Sequence, residues 1–300
     1  MIPLFDLHCD TLLELYKNNE DIRENNLHIS LNKAKKFSPY IQVCAIWSDA
    51  SLSNDEAFKN YINVRSYALN TGISFTTGAS KLKQNAFILS VEDARLLNGD
   101  ISRVSSLYND GVRLLTLNWQ GTSIIGGAWD TSEGLTAFGK DVVKSCLELG
   151  IITDISHSSI KSSEEIYEIC FSYNKPLIAS HSNSFSICNH KRNLSDELFK
   201  KILLSKGLVG ISLAKEHISY KNIVSSDDIL EHIYHYLSLG GENVIALGCD
   251  FDGVSSLPCD INSINELDAL YSKIVNAFGE NIAKKIFFYN SYSFMLKNLV

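Results

Sequence analysis

The chain has 300 residues, a formal net charge of -7, 45% hydrophobic and 20% charged residues. That composition belongs to a globular protein with ample apolar material for a large core, and the absence of a basic run argues against nucleic acid or an anionic membrane surface as partner. No apolar run approaches the ~20 residues that cross a bilayer, the N-terminus shows no signal-peptide pattern, and seven scattered cysteines without a CxxC pair point to reduced thiols and a cytoplasmic protein.

Eight short apolar runs follow one another, near 3–7, 41–47, 85–91, 112–117, 150–155, 176–180, 208–213 and 243–249. They are near-continuous rather than alternating, as strands buried on both faces are. Eight such strands close a parallel barrel, which takes ~250 residues, so the spacing predicts one barrel domain over 1–300. The intervals 8–40 and 48–84 hold helices that the periodicity does not place. Residues 118–135, with Gly121, Gly126, Gly127 and Gly134, read as a loop long enough to be functional, set over the barrel mouth. A helix is predicted over 136–149, with Phe138, Val142, Leu147 and Leu149 on its apolar positions and Gly150 as its stop. Further helices are predicted over 162–172, opening on Ser162-Ser163-Glu164-Glu165, over 196–205 after Ser195, and over 227–239 from Asp227-Asp228. Two more, 264–278 and 280–298, follow the last strand.

The chemistry sits where the apolar runs end. His8 and Asp10 follow the first run, Glu92 the third, His157 the fifth, His181 the sixth and Asp250 the eighth. Barrel active sites lie at the strand C-termini, so residues distant in sequence converge there. Alternate residues at a strand end point the same way, so His8 and Asp10 can face one ion. Five nitrogen and oxygen ligands (His8, Asp10, Glu92, His157 and His181) exceed one tetrahedral zinc and suit two metals sharing a bridging carboxylate and a bridging hydroxide. Each residue alone also fits a hydrogen-bonded structural role; the joint pattern carries the reading. His28, His217, His232 and His235 lack that context and read as surface or packing residues.

With these residues in view, the chain resembles the membrane (renal) dipeptidase family, zinc peptidases of the amidohydrolase superfamily. The matching stretches are Asp6-Leu7-His8-Cys9-Asp10-Thr11, Ser90-Val91-Glu92, Gly111 to Leu117 and Gly134 to Gly139. They continue through Asp154-Ile155-Ser156-His157-Ser158, Ala179-Ser180-His181-Ser182, Arg192 to Asp196 and Gly248 to Gly253. The resemblance implies a distorted (β/α)8 TIM barrel with extra C-terminal helices and two Zn2+ per chain, bridged by Glu92 and a hydroxide. His8 and Asp10 would hold one ion, His157 and His181 the other. Asp250 would be the acid/base residue and, with Glu92, the catalytic pair; Arg192 would hold the substrate carboxylate by a bidentate pair. Asp252 would take the acid/base role instead or border the substrate. The better-known members carry a histidine after strand four that contacts the substrate carbonyl; Trp119 stands there instead, and an indole donates a hydrogen bond but carries no charge.

The resemblance therefore implies a zinc-dependent dipeptidase acting on a small dipeptide. The alternatives are a related amidohydrolase acting on another amide, lactam or cyclic substrate, because Trp119 reshapes the pocket, and a non-catalytic metal-binding barrel. A cytoplasmic microbial branch and a homodimer are the corresponding expectations.

Overall fold

In the computed structural model, which describes residues 1–82 and 85–299, each predicted apolar run contributes one strand. The strands are β1 (Ile2–Asp6), β2 (Phe37–Ile46), β3 (Ala86–Glu92), β4 (Val112–Thr116), β5 (Ile152–Asp154), β6 (Ile178–Ala179), β7 (Leu208–Ile211) and β8 (Ile245–Leu247). They pair in parallel, in chain order, and close into a barrel where Asp6 of β1 meets Leu247 of β8. The last two residues of the 48–84 interval lie outside the described residues.

The strands separate two apolar layers. Phe5, Leu7, Ile41, Val43, Ile88, Leu114, Ile152, Ile178, Leu208 and Ala246 share one buried cluster with Phe288, Phe294 and Met295 from the C-terminal segment. Their strand neighbours Leu4, Leu89, Val91, Leu115, Val209, Ile211, Ile245 and Leu247 belong to a second cluster, shared with the helices. The switch at every residue is the period of two of a pleated strand. Followed along the inner face in steps of two, the chemistry changes toward the strand ends: Ile88, Ser90, Glu92; Ile152, Asp154, Ser156; Ile178, Ser180, Ser182; Ala246, Gly248, Asp250. The barrel is thus apolar at one end and polar at the other.

The helices are α1 (Thr11–Asn18), α2 (Asn54–Asn70), α3 (Ser102–Asn109), α4 (Ala137–Leu149), α5 (Ile160–Ser172), α6 (Asp196–Leu204), α7 (Lys215–Ile218), α8 (Ser226–Ser238), α9 (Leu267–Phe278), α10 (Glu280–Lys284) and α11 (Asn290–Asn298). Helix α5 starts two residues before the predicted 162. Its cap is Ser159, whose hydroxyl accepts from Ser162 N at 2.9 Å, while the Ser162 hydroxyl donates to Gly127 O at 2.9 Å and ties down the 118–135 loop. Helix α3 escaped prediction because only Val104 and Leu107 are buried in it. The single helix predicted over 280–298 is interrupted by a π-turn at Lys285–Tyr289, which sends Phe287 to the outer layer and Phe288 into the barrel. Among the described residues, no helix is long and apolar enough to cross a membrane.

Candidate active site

The polar end of the barrel collects the residues expected from the strand ends. Glu92 is the last residue of β3; His8, His157, His181 and Asp250 lie on the turns that leave β1, β5, β6 and β8. His157 (φ 67°) and Asp250 (φ 62°) have left-handed backbone, a conformation that costs energy in a side-chain-bearing residue and gathers at functional turns. Asp10 sits at the N-terminus of α1 but makes no side-chain capping bond, so its carboxylate is free to face the centre. His8, Glu92 and His181 are no more than 3% exposed, and Asp10 and Asp250 are each 7% exposed.

Glu92 lies between two sets of donors. Its Oε1 is 2.9 Å from His157 Nε2 and 3.5 Å from His181 Nε2, while its Oε2 is 3.8 Å from His8 Nε2. His8 Nε2 is in turn 3.5 Å from Asp10 Oδ2 and 3.7 Å from Asp250 Oδ1. Three overlapping groups could each hold a cation, with ligand atoms within 4.8 Å of one another: Glu92, His157 and His181; His8, Asp10 and Glu92; and His8, His181 and Asp250.

A cation also resolves what is otherwise an electrostatic conflict. The Nδ1 of His157 lies 3.1 Å from the carbonyl of Trp119, which can only accept, so the ring proton sits on Nδ1. Burial first, then the nearby Arg192 and His8, hold His157 well below the ordinary histidine range, so the ring is neutral. Its bare Nε2 then faces Glu92 Oε1 at 2.9 Å, and burial together with Asp10 pushes that carboxyl well above the usual carboxylate range, so the pair calls for a positive charge, a proton or a cation, between them. Among the described residues, the buried His8 Nε2, Asp10 Oδ1 and Glu92 Oε1 have no hydrogen-bond partner. Buried groups of this kind are paired or coordinate metals, and the donor set fits divalent ions. Gly253 leaves room for them: a Cβ there would stand 2.1 Å from Asp10 Oδ2 and 2.4 Å from Asp250 Oδ1.

The remaining groups are tuned by the same crowding. Burial opposes charge on His8, but Glu92, Asp10 and Asp250 outweigh it and lift its imidazole to about 10. Burial lifts the Asp250 carboxyl to about 7, against the pull of His8 and Arg192.

Arg192, in the loop after β6, is 6% exposed, and both of its terminal nitrogens lack partners among the described residues. Its loop is fixed by Asn193, whose Nδ2 donates to Cys188 O and His217 O, each at 2.8 Å. His190 and His217 pack against each other beside it, with ring centroids 4.6 Å apart and planes tilted by 36°. Burial and the Arg192 charge push His217 down to about 2, so it too is neutral. A buried guanidinium with free donors and neutral neighbours is a ready site for an anion.

A cavity of about 220 Å³ opens onto the centre, lined in part by Leu13, Trp47, Trp119, His157 and Asp250. Trp119 packs against Trp47 with ring centroids 4.8 Å apart and planes tilted by 52°, and it lies more nearly parallel to the His157 ring at 6.2 Å. The 118–135 loop is fastened to the same place, since Trp129 N donates to His157 O at 2.8 Å. Asp252 borders the cavity, but its carboxylate is engaged: Thr11 Oγ1 donates to it at 2.6 Å and His28 N at 2.7 Å. His232 joins Ser184 N to Ile218 O, and His235 pairs with Asp196, both packing roles away from the centre. Trp47 directly follows β2 and so stands at a strand end like the acids and imidazoles, but an indole is no metal ligand and gives no such signal in the sequence. No local pattern distinguishes His190 and His217 either.

The sequence profile of membrane dipeptidases (peptidase family M19) matches residues 1–295. An uncharacterized protein in the pqqA 5' region of Klebsiella pneumoniae is 29% identical over 227 residues, covering 71% of this chain and 82% of that protein. An uncharacterized dipeptidase of Schizosaccharomyces pombe is 27% identical over 210 residues, 66% of this chain but only 49% of the yeast protein. Among solved structures, a metallo peptidase described as dipeptidase AC superposes with a TM-score of 0.90 at 23% identity, covering 99% of both chains. A metallo peptidase from Rhodobacter sphaeroides, liganded with a phosphinate mimic of the dipeptide L-Ala-D-Ala, superposes with a TM-score of 0.89 at 22% identity, covering 100% of this chain and 99% of that one. The structural likenesses establish the barrel, and the profile match over nearly the whole length establishes the rest: the chain belongs to the membrane dipeptidase family and is a metallopeptidase that hydrolyses the peptide bond of dipeptides.

Proposed function

We propose that the enzyme works with two zinc ions, held by His8 and Asp10 on one side and by His157 and His181 on the other, with Glu92 shared. The observation that carries this reading is the division of Glu92, one oxygen toward His157 and His181 and the other toward His8. Two such ions would polarise the scissile carbonyl and acidify the attacking water. The chain's own residues then do the following. Arg192 binds the terminal carboxylate of the dipeptide through its free guanidinium nitrogens. Asp250, beside His8, takes the proton of the attacking water and passes it to the leaving amine. Trp47 and Trp119 wall the cavity, whose volume of about 220 Å³ favours two small residues over a longer peptide. The seven unpaired cysteines, six of them buried, support a reducing, cytoplasmic setting.

The test is metal analysis of zinc-supplemented protein together with a screen of dipeptides, including those with a D-residue at the C-terminal position. Two zinc ions per chain and turnover of small dipeptides are expected. One ion or none in the active protein would sink the two-ion assignment.

Arg192→Ala is expected to raise KM by roughly 10- to 100-fold, the loss of a charge-assisted bond. C-terminally amidated dipeptides should lose a similar factor on the unaltered enzyme. Equal rates for free and amidated substrates would contradict the assignment.

Trp119 can offer the substrate carbonyl a neutral N–H but no charge, and weakening a preorganised donor at such a site costs up to the roughly 10²–10³ in kcat that follows its outright removal. Trp119→His should therefore raise kcat on simple dipeptides with little change in KM. Unchanged kinetics in both Trp119→His and Trp119→Phe would show that the indole only packs the mouth.

A further inference from the structure

Asp154 lies below the metal-type ligands, on the inner face of β5, and is 1% exposed. Four donors converge on its carboxylate. Ser156 N and Ser180 N each donate to Oδ1 at 2.9 Å; Thr116 Oγ1 donates to Oδ2 at 2.6 Å and Ser180 Oγ at 2.5 Å. An ionised carboxylate accepts all four. The Ser180 hydroxyl has a single proton, and that proton is directed at Asp154. Yet Ser180 Oγ also lies 2.8 Å from His181 Nδ1. With its proton already committed, the hydroxyl can only accept from the ring, so the ring proton must sit on His181 Nδ1. His181 Nε2 is then a bare lone pair, aimed at His157 Nε2 and Glu92 Oε1 across 2.9 and 3.5 Å.

The backbone leaves Ser180 little freedom to do otherwise. Its carbonyl is wedged between Gly210 and Gly248, where a Cβ on either glycine would come within 1.8 Å of it. Its N–H is held by Asp154, so both ends of the residue are pinned. Ser156 Oγ completes the surround, 3.3 Å from Ser180 Oγ, and accepts from His181 N at 3.1 Å.

We propose that Asp154, acting through the Ser180 hydroxyl, is a positioning residue that fixes His181 in the Nδ1–H tautomer and so presents its Nε2 to the metal. This rests on the two-ion reading for its purpose, but the tautomer itself belongs to the metal-free chain. Outer partners of this kind typically contribute 10- to 100-fold to metal affinity.

Asp154→Asn inverts the relay while keeping its shape. The two backbone N–H groups that bind Oδ1 require the amide oxygen there, so the amide nitrogen takes the other place and donates to Ser180. The Ser180 hydroxyl proton then turns to His181 Nδ1 and drives the ring proton onto Nε2, where it blocks a metal. The experiment reads the ring-nitrogen NMR shifts of His181 in metal-free protein and, separately, zinc uptake by chelator competition. The unaltered protein should show a protonated Nδ1. Asp154→Asn should show a protonated Nε2 and bind one of its two zinc ions roughly 10- to 100-fold more weakly. A protonated Nε2 in the unaltered protein overturns the proposal, and needs no variant to fold. So does an Asp154→Asn protein that keeps the original tautomer and zinc affinity. Failure of the two-ion reading looks different: fewer than two zinc ions in the unaltered protein, with Nδ1 of His181 still protonated.

Discussion

Glu92→Gln is expected to weaken both metal sites together, by at least about 100-fold each, the upper end of what loss of an outer partner alone costs. The substitution keeps the size of the side chain and removes its charge. In the parent chain Glu92 is 3% exposed and faces His157 and His181 with one oxygen and His8 with the other. A glutamine would present an NH₂ group to one of those sets, where a cation and a donor cannot coexist. His157→Ala should behave differently and empty mainly one site. Elemental analysis after dialysis against a mild chelator separates the two patterns. Loss of one ion only in Glu92→Gln would show that the carboxylate is not shared.

Asp250→Asn should lower kcat by roughly 10²–10⁴-fold, the usual contribution of a positioned acid/base group, with zinc content unchanged. The carboxyl of Asp250 is held near neutrality, at about 7, chiefly by burial, which suits a group that must take up and release a proton. An asparagine can hold a hydrogen bond in the same place but cannot carry the proton. There is a competing role in the geometry, because Asp250 also forms a cation-sized group with His8 and His181. Zinc content separates the two: a variant that loses an ion identifies Asp250 as a ligand, whereas a slow variant with both ions retains it as the proton carrier. A kcat within tenfold of the parent, with full zinc, would remove Asp250 from the chemistry.

Much of this architecture is legible in the chain because it is local. A strand buried on both faces must be an apolar run, and a ligand at its end interrupts that run within a residue or two. Glu92 after Phe87-Ile88-Leu89-Ser90-Val91 is visible for that reason, as is Asp250 after Val244 to Gly248. Helix α4 is legible from its spaced apolar residues, while α3, which buries only Val104 and Leu107, has too little pattern to read. Arg192 is harder: beside Lys191 it is one of two cations, and only the fold exposes Lys191 and buries Arg192.

The sequence by itself determined the eight strands, their parallel order and the residue types waiting at their ends, since these follow from side-chain periodicity along the chain. Barrel closure alone decided which of those ends meet, and at what distance. It set the two oxygens of Glu92 between His8 and the His157–His181 pair, placed Trp47 against Trp119, and brought Asp154 and Ser180 beneath His181. Asp154 reads in the chain as one polar residue inside an apolar run, and nothing local announces its part. The direction of a hydroxyl proton depends on every donor and acceptor around it, and those partners, Thr116 of β4 donating to Asp154 of β5 and Ser180 and His181 after β6, meet only once the strands lie side by side.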